Sequence, residues 1–114
     1  MTNKTDFTFL SSDGKTRLHG IAWVPEDVTP VAVLQLVHGV AEYIGRYDDF
    51  ARFLNSHGVI VVGHDHLGHG LSLPEGGTPV YFGDGNTWNT PVDDIYVLHT
   101  KLKEQYPHLP LLLM

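Results

Sequence analysis

The chain has 114 residues, 42% of them apolar and 18% charged, with a mean hydropathy of −0.07, which is the make-up of one small globular domain and excludes a disordered tail, a fibrous repeat and a multidomain assembly. Seven Lys and Arg against thirteen Asp and Glu leave a net charge of −6, and the cations are scattered. A nucleic-acid backbone or an anionic membrane surface therefore has no basic footprint to bind, and neither is expected as a partner. The absence of cysteine removes disulfides, thiolate metal sites and thiol nucleophiles, and it fits a reducing compartment. Residues 1–15 are polar and lack a secretory layout, and apolar runs such as 31–37 and 109–114 fall far short of the roughly 20 residues that span a bilayer. The expectation is a soluble cytoplasmic protein without integral membrane association.

In chain order, residues 6–10 and 17–24 read as β-strands separated by Ser11-Ser12-Asp13-Gly14-Lys15, whose Asp-Gly pair predicts a hairpin. Residues 25–30 form a turn-rich linker. Residues 31–37 are a nearly continuous apolar strand of the kind buried on both faces in parallel sheets. Tyr47, Phe50, Ala51 and Leu54 then follow a helical period, with Gly58 where a C-terminal cap is expected. Residues 59–62 are again β-branched and apolar, so the chain is in β-α-β rhythm.

From 67 to 89 no period is sustained, which predicts a long functional loop. Thr90 as N-cap, Pro91 in the first helical position, and Asp93 and Asp94 in the first turn predict a helix whose packing side carries Ile95, Leu98, His99, Leu102 and Tyr106. Residues 109–114 read as a further buried strand. A strand with two apolar faces needs neighbours and covering layers, so the 114 residues are expected to be the N-terminal part of a longer fold. The alternative is that the last helix and strand form a peripheral β-α unit, or that a second chain completes the sheet.

Two clusters stand at the C-terminal ends of parallel strands, where open α/β sheets place their ligands. The first is His38-Gly39-Val40-Ala41-Glu42. Gly39 permits a tight turn close to a substrate, and the Val40 N–H is a candidate donor to a developing negative charge; the plainer reading is a strand-to-loop turn with a hydrogen-bonded His38. The second is His64-Asp65-His66-Leu67-Gly68-His69-Gly70-Leu71-Ser72. Three imidazoles and a carboxylate suit a divalent ion, yet no familiar zinc spacing is present. Gly68 and Gly70 favour instead a structural loop in which Asp65 and the imidazoles bond to backbone amides. Ser72, Ser11, Ser12 and Ser56 all lack the strand-turn-helix setting that activates a serine nucleophile.

The apolar strand ending in His38-Gly39-Val40, the Gly45-Arg46-Tyr47 lead-in to the helix and the run Asp65-His66-Leu67-Gly68-His69-Gly70-Leu71-Ser72 together resemble the N-terminal part of an α/β-hydrolase. The pattern is similar to the monoacylglycerol lipase and lysophospholipase group, also known as serine aminopeptidase-like hydrolases, over residues 7–114. His-Gly-Val departs from the H-G-x-P of epoxide hydrolases and the H-G-G-G of another esterase class. The resemblance implies an antiparallel hairpin followed by parallel βαβ units, with segment 106–114 leading toward a G-x-S-x-G nucleophile elbow. It implies acyl-ester hydrolysis of a small or lipid-like substrate through an acyl-enzyme, with no cofactor and no metal. Within residues 1–114 it implies the Val40 N–H as an oxyanion-hole donor, Gly39 enabling the approach and His38 supporting the loop. Asp65, His66, Gly68, His69, Gly70 and Ser72 become a structural loop near the site, and the catalytic triad is expected outside this chain.

Overall fold

The computed structural model describes residues 2–14, 16–38, 43–65 and 89–114. Strands β1 (Thr2–Leu10) and β2 (Arg17–Pro25) pair antiparallel in full register, with Leu10 opposite Arg17. The turn between them is held by the Asp13 carboxylate, which accepts from the Thr16 amide at 2.8 Å and the Thr16 hydroxyl at 2.7 Å. Gly14 supplies the positive φ of 77° that the turn requires.

Strand β3 (Ala32–Leu36), a 3-10 turn (Ile44–Tyr47), helix α1 (Asp48–Asn55) and strand β4 (Val59–His64) follow. Helix α2 (Asn89–Gln105) then leads to strand β5 (Leu111–Leu113). The sheet order is β1-β2-β4-β3-β5, with β4 antiparallel to β2 and parallel to β3, and β5 parallel to β3. The step from β3 to β4 runs one way across the sheet, and the step from β4 to β5 runs back past β3. Right-handed crossovers then demand that the two helices lie on opposite faces.

The core obeys that demand. On one face Phe9, Leu18, Val33, Ile60 and Val62 pack with Leu98 and Leu102 of α2. On the other, Ile21, Trp23, Leu36 and Val61 pack with Ile44 and with Ala51 of α1. Alternate residues of each strand feed the two clusters, which is why β3 and β4 read as unbroken apolar runs. The Trp23 indole donates to Asp48 at the start of α1 at 2.9 Å; this bond, the Arg52 guanidinium and Lys4 hold the Asp48 carboxyl down to about 2.

Several sequence expectations shift. The third strand is shorter than residues 31–37, and Val31 is exposed. Of the expected face of α1, Ala51 is buried and Tyr47 and Leu54 pack against the same cluster, but Phe50 is exposed, because the short helix turns Asn55 inward beside Ala51. Helix α2 begins at Asn89, so Thr90 and Pro91 lie inside it and Asp93 and Asp94 lie beyond its first turn. Asp94 is fully buried, contacting the hairpin rather than complementing a helix dipole. Strand β5 has only three residues and borders β3 alone among the described strands, so Leu112 and Leu113 are more than half exposed. No helix among the described residues is long and apolar enough to cross a membrane.

Gly63 marks the tightest approach in the sheet. A Cβ there would lie 2.3 Å from Ile44 Cδ1 and 2.6 Å from the Leu36 carbonyl oxygen, and the carbonyl belongs to the paired strand and cannot yield. Gly63→Ala is expected to destabilise the fold by about 2–3 kcal/mol through overpacking, read as a lower urea midpoint.

Candidate functional site

The C-terminal end of β3 is the focus of the molecule. Beyond β3, the Val37 amide donates to the Met114 carbonyl at 2.8 Å, and the Met114 amide donates to the Gln35 carbonyl at 3.0 Å. The parallel pairing thus continues past both strands, and His38 lies at the mouth between them, buried with 3% of its surface exposed. Gly39 and Val40, the residues expected to turn and donate, lie outside the described residues, as do Ala41 and Glu42.

The chain rejoins the described fold at Tyr43, and its next amide is held firmly. Ile44 N–H donates to Asp65 Oδ1 at 2.6 Å, and the Ile44 side chain fills the space over Gly63. Asp65 itself is buried, follows β4 directly and donates its own amide to the His19 carbonyl at 2.7 Å. Its second oxygen, Oδ2, lies 2.6 Å from His19 Nδ1, and His19 Nε2 lies 2.9 Å from Asp6 Oδ2. Both ring nitrogens therefore face carboxylate oxygens, and only the imidazolium has two N–H groups to satisfy them. Burial opposes that charge, but the hydrogen bonds to Asp65 and Asp6, helped by the charge of both carboxylates, outweigh it and raise the His19 pKa above the ordinary histidine value.

The two neighbours His64 and Asp65 go to opposite faces. The His64 ring meets Phe9 edge-on at 5.2 Å on the α2 face, whereas Asp65 bonds to His19 and Ile44 on the α1 face. They do not converge on a common ion. Among the described residues, Asp65 bonds the backbone amide of Ile44. His66, Gly68, His69, Gly70 and Ser72 lie outside the described residues, and no group of three metal-ligating side chains occurs among the described ones.

The remaining candidates are structural. Ser11 Oγ lies 2.9 and 3.0 Å from the two Asp94 oxygens, and the Ser12 amide donates to Asp94 Oδ1 at 2.7 Å, tying the hairpin to α2. Burial pushes the Asp94 carboxyl up, against these bonds. His99 Nδ1 lies 2.9 Å from Oε1 of the buried Gln35, whose amide nitrogen donates to the Ile95 carbonyl. His99 is thus hydrogen-bonded at a helix-sheet contact.

A family model described as "Serine aminopeptidase, S33" matches residues 28–114. The chain belongs to this family. It is 35% identical to the monoglyceride lipase of Homo sapiens over 92 residues, covering 81% of this chain and 28% of that protein. To the monoacylglycerol lipase of Mycolicibacterium smegmatis it is 34% identical over 109 residues, covering 96% of this chain and 36% of the relative. Among solved structures, a thermostable carboxyl esterase from Bacillus coagulans superposes with a TM-score of 0.87 at 29% identity, over 99% of this chain and 36% of that one. The architecture is that of an α/β-hydrolase, and the chain spans about a third of the length of these relatives.

In this α/β-hydrolase segment the family motif at Asp65 was legible in the sequence, but the pairing with His19 was not. Its one signal is the alternation His19, Ile21, Trp23, which puts the imidazole on the α1 face of β2. Two predictions follow from the ionisable contacts. A histidine whose folded pKa is raised stabilises the fold fully below its unfolded value and loses that contribution as pH rises through the folded one. Stability should therefore fall from mildly acidic to mildly alkaline pH, and His19→Gln should flatten that limb in urea titrations. Ser11→Ala should cost about 1–3 kcal/mol by removing a donor to a buried carboxylate. Because Asp94 holds its proton more tightly folded than unfolded, the loss should be larger at pH 7 than at pH 4 when measured by the same titrations.

Proposed function

We propose that this chain supplies the oxyanion-loop part of a serine ester hydrolase of the monoacylglycerol lipase and lysophospholipase kind. The observation that supports the reading is the continued pairing of Val37 with Met114, which sets His38, the first residue of the His38-Gly39-Val40 run, next to the C-terminal end of β5. Loops at adjacent C-terminal strand ends are where α/β sheets assemble ligand sites. The similarity to proteins named monoglyceride lipase and carboxyl esterase supports the ester as the substrate class.

In this reading the Val40 N–H is one oxyanion donor, Gly39 allows the backbone to approach the carbonyl, and His38 braces the turn. The nucleophilic serine, its acid and its histidine base are contributed from outside these 114 residues. The serine oxygen adds to the ester carbonyl as its proton passes to the base, and the alcohol leaves with that proton. Water then repeats the addition on the acyl-enzyme and releases the carboxylic acid. This route needs neither metal nor cofactor. The substrate is a small acyl ester or lipid-like ester, in a cytoplasmic setting consistent with the cysteine-free, acidic composition.

Strand β5 borders only β3 among the described strands, with Leu112, Leu113 and Met114 more than half exposed, and this favours a second reading: a non-catalytic binding or scaffolding module whose sheet a partner chain completes by strand addition. The intact mass of the native polypeptide and its labelling by a fluorophosphonate probe separate the two. Residues 1–114 alone should not turn over a short p-nitrophenyl ester. In a longer, active polypeptide Gly39→Pro should lower turnover by at least about a hundred-fold, the cost of one oxyanion donor. Unchanged turnover would remove the oxyanion assignment, and an unlabelled native chain ending at Met114 would favour the binding module.

A further inference from the structure

Helix α2 leaves part of its side of the sheet uncovered. Near its N-terminal end Asp94 is tied to Ser11 and Ser12 of the hairpin turn, and further along Leu98 and Leu102 pack with Val33, Ile60 and Val62 of β3 and β4. Beyond the Asp94 tie, a groove of about 410 Å³ opens between α2 and the β1–β2 hairpin. Its floor is Phe7, Ala22, Val24 and Val62, which share the α2 face because side chains alternate along each strand, with Thr5, Ala22 and Val62 in register across β1, β2 and β4. The Phe7 ring lies over Gly20, where any Cβ would collide with it, so packing fixes this part of the floor. Leu98 and Leu102 form the wall.

The interior of the groove offers a ligand almost nothing to hydrogen-bond. Its floor side chains are apolar, and β2 is paired on both sides, with β1 and with β4. A peptide or a sugar lying there would lose water from polar groups that find no partner. The body of a fitting ligand is therefore a hydrocarbon chain. The polar groups stand at the rim: Lys101 and Gln105, both exposed and one helical turn apart, and the exposed Thr5 on the β1 side. Gln105 Nε2 lies 3.4 Å from the Tyr106 hydroxyl, and burial raises the Tyr106 pKa, so the phenol is neutral.

Charge decides the head of the ligand. Among the side chains lining the groove Lys101 is the one that is ionised, and no salt bridge engages it among the described residues; Glu104 stands on its other flank, outside the groove. In a chain of net charge −6, an apolar groove rimmed by a single unpaired ammonium is complementary to an amphiphile with one negative charge at one end. We propose that the groove between the β1–β2 hairpin and α2 binds a free medium-chain alkyl carboxylate, with its chain along Phe7, Ala22 and Leu102 and its carboxylate at Lys101 and Gln105. The Asp94 tie closes the far end, two helical turns or about 10 Å from Lys101, which sets the direction of the chain and limits its length. The site lies on the α2 face and shares no residue with the strand ends that carry the ester-hydrolase reading, so it stands without that reading.

The test uses the native polypeptide that contains this chain, treated with a fluorophosphonate so that any reactive serine site is already occupied. Calorimetry with monomeric decanoate at pH 8 should give a Kd on the order of 0.1 mM, weakened about three-fold for each methylene removed from the chain. Lys101→Glu should weaken binding by at least about ten-fold with the circular dichroism spectrum unchanged, and Lys101→Arg should restore it. Ala22→Phe, which fills the floor, should abolish the dependence on chain length. A decanoate analogue with a diazirine at the chain end should label Phe7 or Leu98. Decanol binding as tightly as decanoate, a Lys101→Glu variant that binds normally, or label outside the hairpin and α2 would each overturn the proposal. So would no uptake of decanoate. Attachment to phosphatidylglycerol vesicles without uptake of monomeric decanoate would make this face a membrane contact and likewise overturn it.

Discussion

A buried carboxylate is costly unless the lone pairs that leave water find donors, and Asp65 meets that condition by gathering two distant parts of the chain. It takes the Ile44 amide from the connection after β3, the imidazole from β2 and, through its own amide, a carbonyl of β2. None of these partners is adjacent in sequence. The requirement that Asp65 be satisfied therefore ties the end of β4 to the antiparallel hairpin and to the segment leading into α1, at the edge of the sheet where a ligand would arrive.

The rest of the architecture makes this corner reachable. A strand alternates its side chains, so β4 can serve the α2 face with Ile60, Val62 and His64 while offering Val61 and Gly63 to the α1 face. Gly63 matters because the missing side chain lets Ile44 lie down on the sheet, and only then does the Ile44 amide reach Asp65. The glycine, the isoleucine and the aspartate form one packing unit in which a close backbone approach and a charge-assisted hydrogen bond depend on each other. On the other face, Asp94 performs a parallel task by accepting from Ser11 and Ser12, so that the hairpin is pinned to both layers.

Element type was legible where a residue pattern has a direct steric cause. Asp13-Gly14 announces a hairpin because glycine adopts the positive φ and aspartate bonds the turn, and the β-branched run at 59–62 announces a strand with two buried faces. Burial direction was less legible at the ends of elements. Phe50 has the right helical spacing for the core, but α1 is only eight residues long and the small Ala51 lets it sit close to the sheet, which leaves the ring outside. Asp94 reads as a first-turn acid from its distance to Pro91, yet its contact is a serine 83 positions earlier in the chain. At the site, the Asp65 motif and His38 stood out by their neighbours; His19 did not, because a lone histidine in a strand acquires meaning only from what crosses over it.

The order of residues alone determined an α/β chain, because the hairpin signal and the two doubly apolar strands are local features dictated by backbone sterics or by the period of burial; the His-Gly-Val and glycine-rich His-Asp runs carried the resemblance to the hydrolases. What only tertiary structure decided is the company each polar group keeps. The sheet order places β4 between β2 and β3, and that order alone brings His19, Asp65 and the Ile44 amide within hydrogen-bond range. Such contacts depend on long-range pairing and crossover handedness, which no window of sequence contains, and they turn a scattered set of acids and histidines into one connected corner of the fold.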